Sequence, residues 1–196
     1  MGNNVNDQVG NNGNVDTCRW APPPISYAPA MGRSSHPRSN ENGPIVLVSE
    51  NAAGYHSLLA HIPPPVTHVA YGGGGQFALT VAGLVPLGPT SILYIGDLDA
   101  EGLAIPQRAI AQARAFGLPE PTPAEDLWRS LCLLAVRFGQ PAQSVPEDVA
   151  TELCSWFKDP GLATDVAAVL VAGRRVAQES IGTDYLLAGL RLTQEA

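Results

Sequence analysis

The amino-acid sequence predicts an α/β fold in which three to four parallel strands form a sheet flanked by helices. Three apolar runs, at residues 45–48, 66–71 and 92–95, are each followed by polar or glycine residues and then by a helical pattern. Strands that alternate with helices form parallel sheets through right-handed crossovers. The first run, Ile45-Val-Leu-Val48, has no polar position and is typical of a strand buried on both faces.

The helices of these three units follow their strands in order. They are expected at residues 53–61, 76–84 and 102–116. The segment 117–122 shows no clear fourth strand, because it contains two prolines and a glycine. The sequence therefore predicts a sheet of three strands and leaves the fourth strand open.

The C-terminal third predicts a helical extension of the sheet domain. Two segments match a capping box, Thr122-Pro-Ala-Glu125 and Ser144-Val-Pro-Glu147. In a capping box the first side chain caps the helix, and the acid three residues later accepts a hydrogen bond from the backbone amide of that first residue. Further helices are expected at residues 162–179 and 184–192.

The N-terminal segment differs in composition from the rest of the chain. Residues 1–43 are rich in Asn, Gly, Pro and Ser and show no strand or helix period. Such segments bury too little apolar surface to order themselves. The predicted organisation is a disordered tail at 1–43, an α/β core at 44–120 and a helical extension at 121–196.

Composition restricts the function classes. The chain has 196 residues and a formal net charge of −7, with three cysteines that form no close pair. No apolar stretch reaches the ~20 residues that span a bilayer, and no signal peptide is evident, so a cytoplasmic protein without membrane contact is expected. The negative charge argues against a general nucleic-acid coat, because such binding needs Lys and Arg to neutralise phosphates.

Two acids leave the third predicted strand, in Ile92-Leu-Tyr-Ile-Gly-Asp97-Leu-Asp99. Residues i and i+2 of an extended segment point the same way, about 6.6 Å apart at roughly 3.3 Å per residue. Two carboxylates at about 4 Å would repel by about 4 kcal/mol at an effective dielectric of 20. A divalent cation would reverse that repulsion, and Mg²⁺ suits one or two carboxylates. The alternative is that the pair forms an Asx-turn or caps the next helix.

The ends of the other two predicted strands carry further polar groups. Glu50 follows the first strand and the run Gly72 to Gly75 follows the second. In a parallel α/β sheet, ligands bind outside the carboxyl ends of the strands. Glu50, Asp97 and Asp99 are therefore expected to converge on one edge of the sheet as a divalent-metal site. The glycine run is interpreted as a turn through which the backbone can approach the site or a phosphate.

The acid pattern resembles the Toprim domain, the metal-binding module of topoisomerases, primases and several nucleases. The resemblance is carried by Val48-Ser-Glu50-Asn51 and by Gly96-Asp97-Leu-Asp99-Ala-Glu-Gly102. Within that family the chain is most similar to the C-terminal domain of JetD-type nuclease subunits of Wadjet systems, which act with SMC-like complexes against plasmid DNA. Tyr71-Gly-Gly-Gly-Gly75, the segment 94–105 and Arg174-Arg-Val-Ala-Gln-Glu179 also fit that subfamily.

This resemblance implies a Mg²⁺-dependent (or Mn²⁺-dependent) DNA endonuclease that acts as a subunit of an SMC-like plasmid-defence complex. Whether the chain also forms a homo-oligomer stays open at the level of sequence. Glu50 is then a metal ligand or a general acid-base, and Asp97 and Asp99 hold the metal against a DNA phosphate. Outer contacts are implied for the remaining candidates, which are Asn51, Glu101 and Glu179. For Glu101 and Glu179 the alternative is a solvated position on a helix surface. The four residues Gly72, Gly73, Gly74 and Gly75 are the candidates for backbone approach to a phosphate.

Two alternatives remain open at the level of sequence. The first is a Toprim-like scaffold that docks a partner and does not cut DNA, which suits the acidic charge balance. The second is a phosphatase of the haloacid-dehalogenase type, which also places Asp-x-Asp after a buried strand. Those phosphatases continue with a small residue and Thr, whereas this chain has Ala100 and Glu101.

Overall fold

A computed structural model describes residues 25–30, 42–61 and 64–181 of the chain. The strands of its main sheet are β1 (Ser26–Pro29), β2 (Ile45–Ser49), β3 (His68–Tyr71), β4 (Ser91–Ile95) and β5 (Pro121–Pro123). They lie in the order β1-β3-β2-β4-β5. Strands β2 to β5 are parallel to one another, whereas β1 pairs antiparallel with β3. The predicted α/β class, with a mostly parallel sheet, is confirmed.

Six α-helices accompany the sheet in the described part of the chain. They are α1 (Ala52–His61), α2 (Phe77–Thr80), α3 (Ala100–Ala115), α4 (Glu125–Phe138), α5 (Glu147–Cys154) and α6 (Pro160–Val171). A separate two-stranded antiparallel sheet pairs β6 (Gln140–Pro141) with β7 (Arg174–Arg175). Among the described residues, no helix combines the length and the apolar character needed to cross a membrane.

The core lies on both faces of the central strands. Val46, Leu47 and Val48 of β2 are each at most 1% exposed, as expected for a strand with neighbours on both sides and cover on both faces. Trp128 of α4 is also fully buried, and its indole N–H donates to the carbonyl of Tyr94 at 3.0 Å. This bond fixes α4 against the carboxyl end of β4.

Strand β1 falls within the segment that the composition predicts to be disordered, so that prediction is wrong for residues 25–30. Ser26–Pro29 pairs with β3, and the flanking Ile25 and Ala30 are 7% and 0% exposed. The amide of Ala30 donates to the carbonyl of Thr67 at 2.7 Å. Pairing with the edge of β3 orders this segment, although its own sequence does not predict a strand.

Strand β5 occupies part of the segment predicted as the start of the helical extension. Pro121 and Pro123 lack amide donors and are tolerated because β5 is an edge strand. Thr122 does not cap a helix as predicted, since it lies in β5 and its hydroxyl donates to the carbonyl of Ile92 at 3.3 Å. Helix α4 begins at Glu125, and the side chain of the preceding residue, Ala124, makes no capping hydrogen bond.

Three other helix predictions also need correction. The helix expected at 76–84 is the short α2 between 3₁₀ segments at Gly74–Gln76 and Val81–Leu87. Ser144 does not cap α5, since its hydroxyl donates to the carbonyl of Val171. The helix expected at 162–179 ends at Val171 as α6, and the chain then enters β7. The helix expected at 184–192 lies outside the described residues.

The central position of β2 makes Leu47 a test of the core. Leu47→Ala should lower the free energy of unfolding by about 2–5 kcal/mol, because it leaves a cavity in a closely packed interior. Leu133→Ala is the matched control, since Leu133 on α4 is 66% exposed. It should change stability by less than about 0.5 kcal/mol. Urea denaturation of both variants measures the difference, and equal effects would contradict the assigned core.

Candidate active site

Glu50 and Asp97 lie next to each other at the carboxyl ends of β2 and β4. The two strands are adjacent, with Ser49 opposite Ile95, and the amide of Glu50 continues the ladder to the carbonyl of Ile95 at 3.0 Å. The amide of Asp97 donates to Oε2 of Glu50 at 3.0 Å. The structure thus brings the acid after the first predicted strand to the acids after the third.

Asp99 begins helix α3. Its backbone is extended, and its Oδ1 accepts a hydrogen bond from the amide of Gly102 at 2.8 Å. This is the helix N-cap that the sequence left open as an alternative for the acid pair. The second oxygen of Asp99, Oδ2, takes no part in the cap.

An arginine lies between the two aspartates. Nη2 of Arg175 donates to Oδ2 of Asp97 at 2.7 Å, and Nε of Arg175 is 3.7 Å from Oδ2 of Asp99. The spacing of the acids predicts a divalent cation between them, whereas the positive charge that lies beside them in this structure is a guanidinium. The other oxygen of Asp97 accepts from the amide of Gln178 at 2.9 Å.

Arg175 and Gln178 belong to a segment, residues 174–181, that we call the C-terminal strap. Leu98 and Val176 exchange two backbone hydrogen bonds, at 2.8 and 3.2 Å, which hold the strap against the loop after β4. The side-chain amide of Gln178 donates to the hydroxyl of Ser49 at 2.7 Å, and both residues are buried. The strap therefore crosses the carboxyl ends of both β2 and β4.

The electrostatics of the site act most strongly on Glu50. The pKa of its carboxyl is raised from 4.5 to about 7, and burial is the largest cause. The hydrogen bond from the Asp97 amide opposes the shift, and the negative charges of Asp97, Asp99 and Glu101 add to it. Glu50 is therefore partly protonated near neutral pH.

Tyr94 lies beneath this carboxyl. Its ring is fully buried, and its hydroxyl makes no hydrogen bond of good geometry within the described part of the chain. A Cβ at Gly96 would contact both the Glu50 carboxyl and the Tyr94 ring, so the two side chains share the space that this glycine leaves. Burial, followed by the charges of Glu50 and Asp97, raises the pKa of Tyr94 far above its usual range. Tyr94 therefore stays neutral beside Glu50.

The donor set suits a hard divalent cation by its chemistry. Carboxylate oxygens are the ligands that Mg²⁺ and Mn²⁺ take in proteins. As the side chains stand in residues 25–30, 42–61 and 64–181, no group of three His, Cys, Asp or Glu residues is arranged to hold a metal ion. Asp97 and Asp99 are the residues that would hold a cation, with Glu50 beside them, once Arg175 leaves the space between them.

The glycine run contributes backbone geometry at the same edge. Gly73 and Gly74 have φ values of 74° and 60°, which other residues rarely adopt. The amide of Gly74 donates to the carbonyl of Glu50 at 2.9 Å, and that of Gly72 donates to the carbonyl of Ser49 at 2.8 Å. The run thus holds the backbone of β3 against the residue that carries the carboxylate. Gly75 makes no close approach.

The other candidates have structural surroundings of their own. The side-chain oxygen of Asn51 accepts from the amide of Gly54 at 2.7 Å at the start of α1. Glu101 is exposed and pairs with Arg108, whose hydrogen bonds lower the pKa of the Glu101 carboxyl. Glu179 lies exposed in the strap. Within the described residues, none of the three side chains hydrogen-bonds to Asp97 or Asp99, and Glu101 acts on the site only through its charge, which raises the pKa of Glu50.

Arg175, Gln178 and Ser49 are site residues that the sequence pattern does not single out. The stretch Arg174-Arg-Val-Ala-Gln-Glu179 stands out for its resemblance to a family pattern, and it directs attention to Glu179. A usable signal was the adjacent arginine pair in a chain with 11 basic residues and a net charge of −7. An acidic site in such a chain needs a nearby cation.

Fold and site together define an α/β domain with an acidic centre at the carboxyl ends of two adjacent parallel strands. The family model described as "Wadjet protein JetD, C-terminal" matches residues 34–190, which is more than half of the chain. The chain belongs to this family. No curated protein and no solved structure matches the chain.

The raised pKa of Glu50 predicts how stability depends on pH. Because folding raises this pKa from 4.5 to about 7, the folded state binds the proton more tightly. The resulting stabilisation is complete below the unfolded value of 4.5 and is lost as the pH rises through about 7. Since the carboxyl is partly exposed, screening limits the loss to about 1–2 kcal/mol.

Glu50→Gln should remove this contribution, whereas Glu152→Gln, an exposed position on α5, should retain it. Urea denaturation at pH 5 and pH 8 compares the variants with the unsubstituted chain. An unchanged pH dependence in Glu50→Gln would contradict the assigned environment of Glu50.

Gly102 is needed for the loop to pack on α3. A Cβ at this position would overlap the backbone of Asp97, so Gly102→Ala should push Asp97 away and lower the free energy of unfolding by about 1–3 kcal/mol. Gly75→Ala is the control, because a Cβ there meets no atom within 4 Å. Thermal unfolding followed by circular dichroism distinguishes the two, and a Gly102→Ala variant as stable as Gly75→Ala would contradict this packing.

Proposed function

We propose that the chain is a Mg²⁺-dependent DNA endonuclease, with Mn²⁺ as an alternative metal, and that it acts as a subunit of an SMC-like plasmid-defence complex. Two observations support the proposal. The chain belongs to the family of the JetD C-terminal region of Wadjet. Glu50, Asp97 and Asp99 lie together where β2 and β4 end, which is the acid pattern of Toprim nucleases. The second observation carries the proposal, because chemistry depends on the site and not on the fold.

The residues of the site have separable roles in this proposal. A bound divalent cation would orient the phosphodiester and stabilise the charge that develops on its oxygens. Asp97 and Asp99 supply carboxylates for it from one side of the loop. Glu50, with its pKa raised to about 7, can hold or release a proton at neutral pH and is the candidate general acid-base.

The charged side chains of the site are partly exposed to solvent. The Asp97 and Asp99 side chains are 18% and 25% exposed, and that of Arg175 is 40% exposed. With a net charge of −7, the chain itself supplies little attraction for DNA. We therefore assign most of the DNA grip to partner subunits of the complex.

A second function, a Toprim-like scaffold that docks a partner without cutting, is favoured by a different observation. Helix α4 presents Leu133, Val136 and Phe138 at 66%, 85% and 52% exposure, respectively. Exposed apolar groups on one element mark protein interaction surfaces more often than single exposed residues do. In this alternative, Arg175 neutralises the acids permanently and no metal binds.

A plasmid-nicking assay with Mg²⁺ and the candidate partner subunits tests the leading proposal. Asp97→Asn keeps the shape of the side chain and its bond from the Gln178 amide but removes the charge, so nicking should fall by about 100-fold or more. Asp148→Asn, at an exposed position on α5, is the matched control and should nick like the unsubstituted chain.

The same assay separates the two functions. Equal nicking by Asp97→Asn and the unsubstituted chain would show that the activity does not come from this site. Absence of nicking together with retained partner binding would favour the scaffold.

A further inference from the structure

The cation position between Asp97 and Asp99 is already filled by a side chain of the protein. Arg175 makes one short hydrogen bond to Asp97, at 2.7 Å, while its Nε lies 3.7 Å from Asp99, beyond hydrogen-bond distance. The Nε group is buried and has no hydrogen-bond partner within the described residues. The guanidinium therefore neutralises two carboxylates with only part of its donors in use.

We propose that Arg175 is an internal competitor for the divalent cation: it occupies the position between Asp97 and Asp99, and the cation binds by displacing it. The proposal rests on the proposed function only in its choice of cation. The regulatory property is that Arg175 sets the metal concentration needed to fill the site between Asp97 and Asp99.

The side chain can leave without disturbing the strap. The strap is held by backbone bonds between Leu98 and Val176 and by the Gln178 amide on Asp97, none of which uses the Arg175 side chain. With 40% of its surface exposed, that side chain has solvent on one side into which it can rotate. Displacement therefore requires the loss of one short hydrogen bond and one longer ion pair.

The balance of charge favours exchange. One guanidinium brings a single positive charge to two carboxylates, whereas a divalent cation brings two charges and can contact oxygens of both. The Arg175 guanidinium and a divalent cation cannot occupy the space between the aspartates at the same time. Removing the guanidinium should therefore raise the affinity for the metal, although it removes a stabilising contact from the free protein.

The neighbouring Arg174 supplies a matched control. It lies in the same short strand, β7, but its Nη2 donates to the carbonyl of Gly139 at 3.0 Å, away from the aspartates. Arg174→Gln removes the same charge from the same strand and leaves Asp97 and Asp99 paired with Arg175.

Calorimetric titration of the full chain with Mn²⁺ tests the competition. Arg175→Gln should bind Mn²⁺ about fivefold more tightly than the unsubstituted chain, and Arg174→Gln should stay within about twofold of it. Arg175→Lys, which keeps a single charge with fewer donors, should lie between. Equal or weaker Mn²⁺ binding by Arg175→Gln would overturn the proposal.

A second measurement avoids the variants altogether. Addition of Mg²⁺ to the unsubstituted chain should shift the ¹⁵N–¹H signal of the Arg175 Nε group, because the guanidinium moves into solvent. No shift at Mg²⁺ concentrations that saturate the chain would overturn the exchange.

These outcomes are independent of the nicking assay. If Arg175→Gln binds Mn²⁺ more tightly and no DNA is cut, the exchange stands and the proposed endonuclease fails. If nicking depends on Asp97 but Arg175→Gln leaves Mn²⁺ affinity unchanged, the exchange fails and the endonuclease stands.

Discussion

The carboxylate of Asp97 joins two distant parts of the chain, and the geometry of the site depends on this connection. One oxygen accepts from Arg175 and the other from the amide of Gln178, residues that are 78 and 81 positions later in sequence. With these bonds in place, Gln178 reaches Ser49 and closes the end of β2 as well. A single charged side chain thus draws the strap across two strands, as charge-assisted hydrogen bonds can when they are partly shielded from water.

The charge at this edge is unbalanced in a way that explains its titration. Glu50, Asp97 and Asp99 bring three carboxylates, and Arg175 brings one positive charge to the two aspartates. Burial is the largest cause of the raised pKa of Glu50, and the neighbouring acids add to it. The site therefore favours a proton on Glu50 near neutral pH. In the proposed function, a divalent cation beside the aspartates would compete with that proton.

The parts of the fold that could be predicted are those that local sequence encodes. The buried strands β2 and β4 are apolar except for a serine at one end of each, and Asp99 caps α3 at the position where an Asp-x-Asp pair meets a helix. The strands β1 and β5 could not be predicted, because each is short, contains proline and is stabilised by pairing with a neighbour. Edge strands of this kind depend on the partner more than on their own propensity. The same reason explains why Thr122 is in a strand although its surroundings match a capping box.

The sequence by itself determined the α/β class and the position of the acids at strand ends. Each of these follows from periodicities of a few residues, which local backbone geometry enforces. Only the tertiary structure decided which cation those aspartates face, since Arg175 reaches them through a strap whose path depends on how β6, β7 and α6 pack. Propensity and spacing carry no information on contacts of that range, because the partner of a charge is selected by the folded chain and not by its neighbours in sequence.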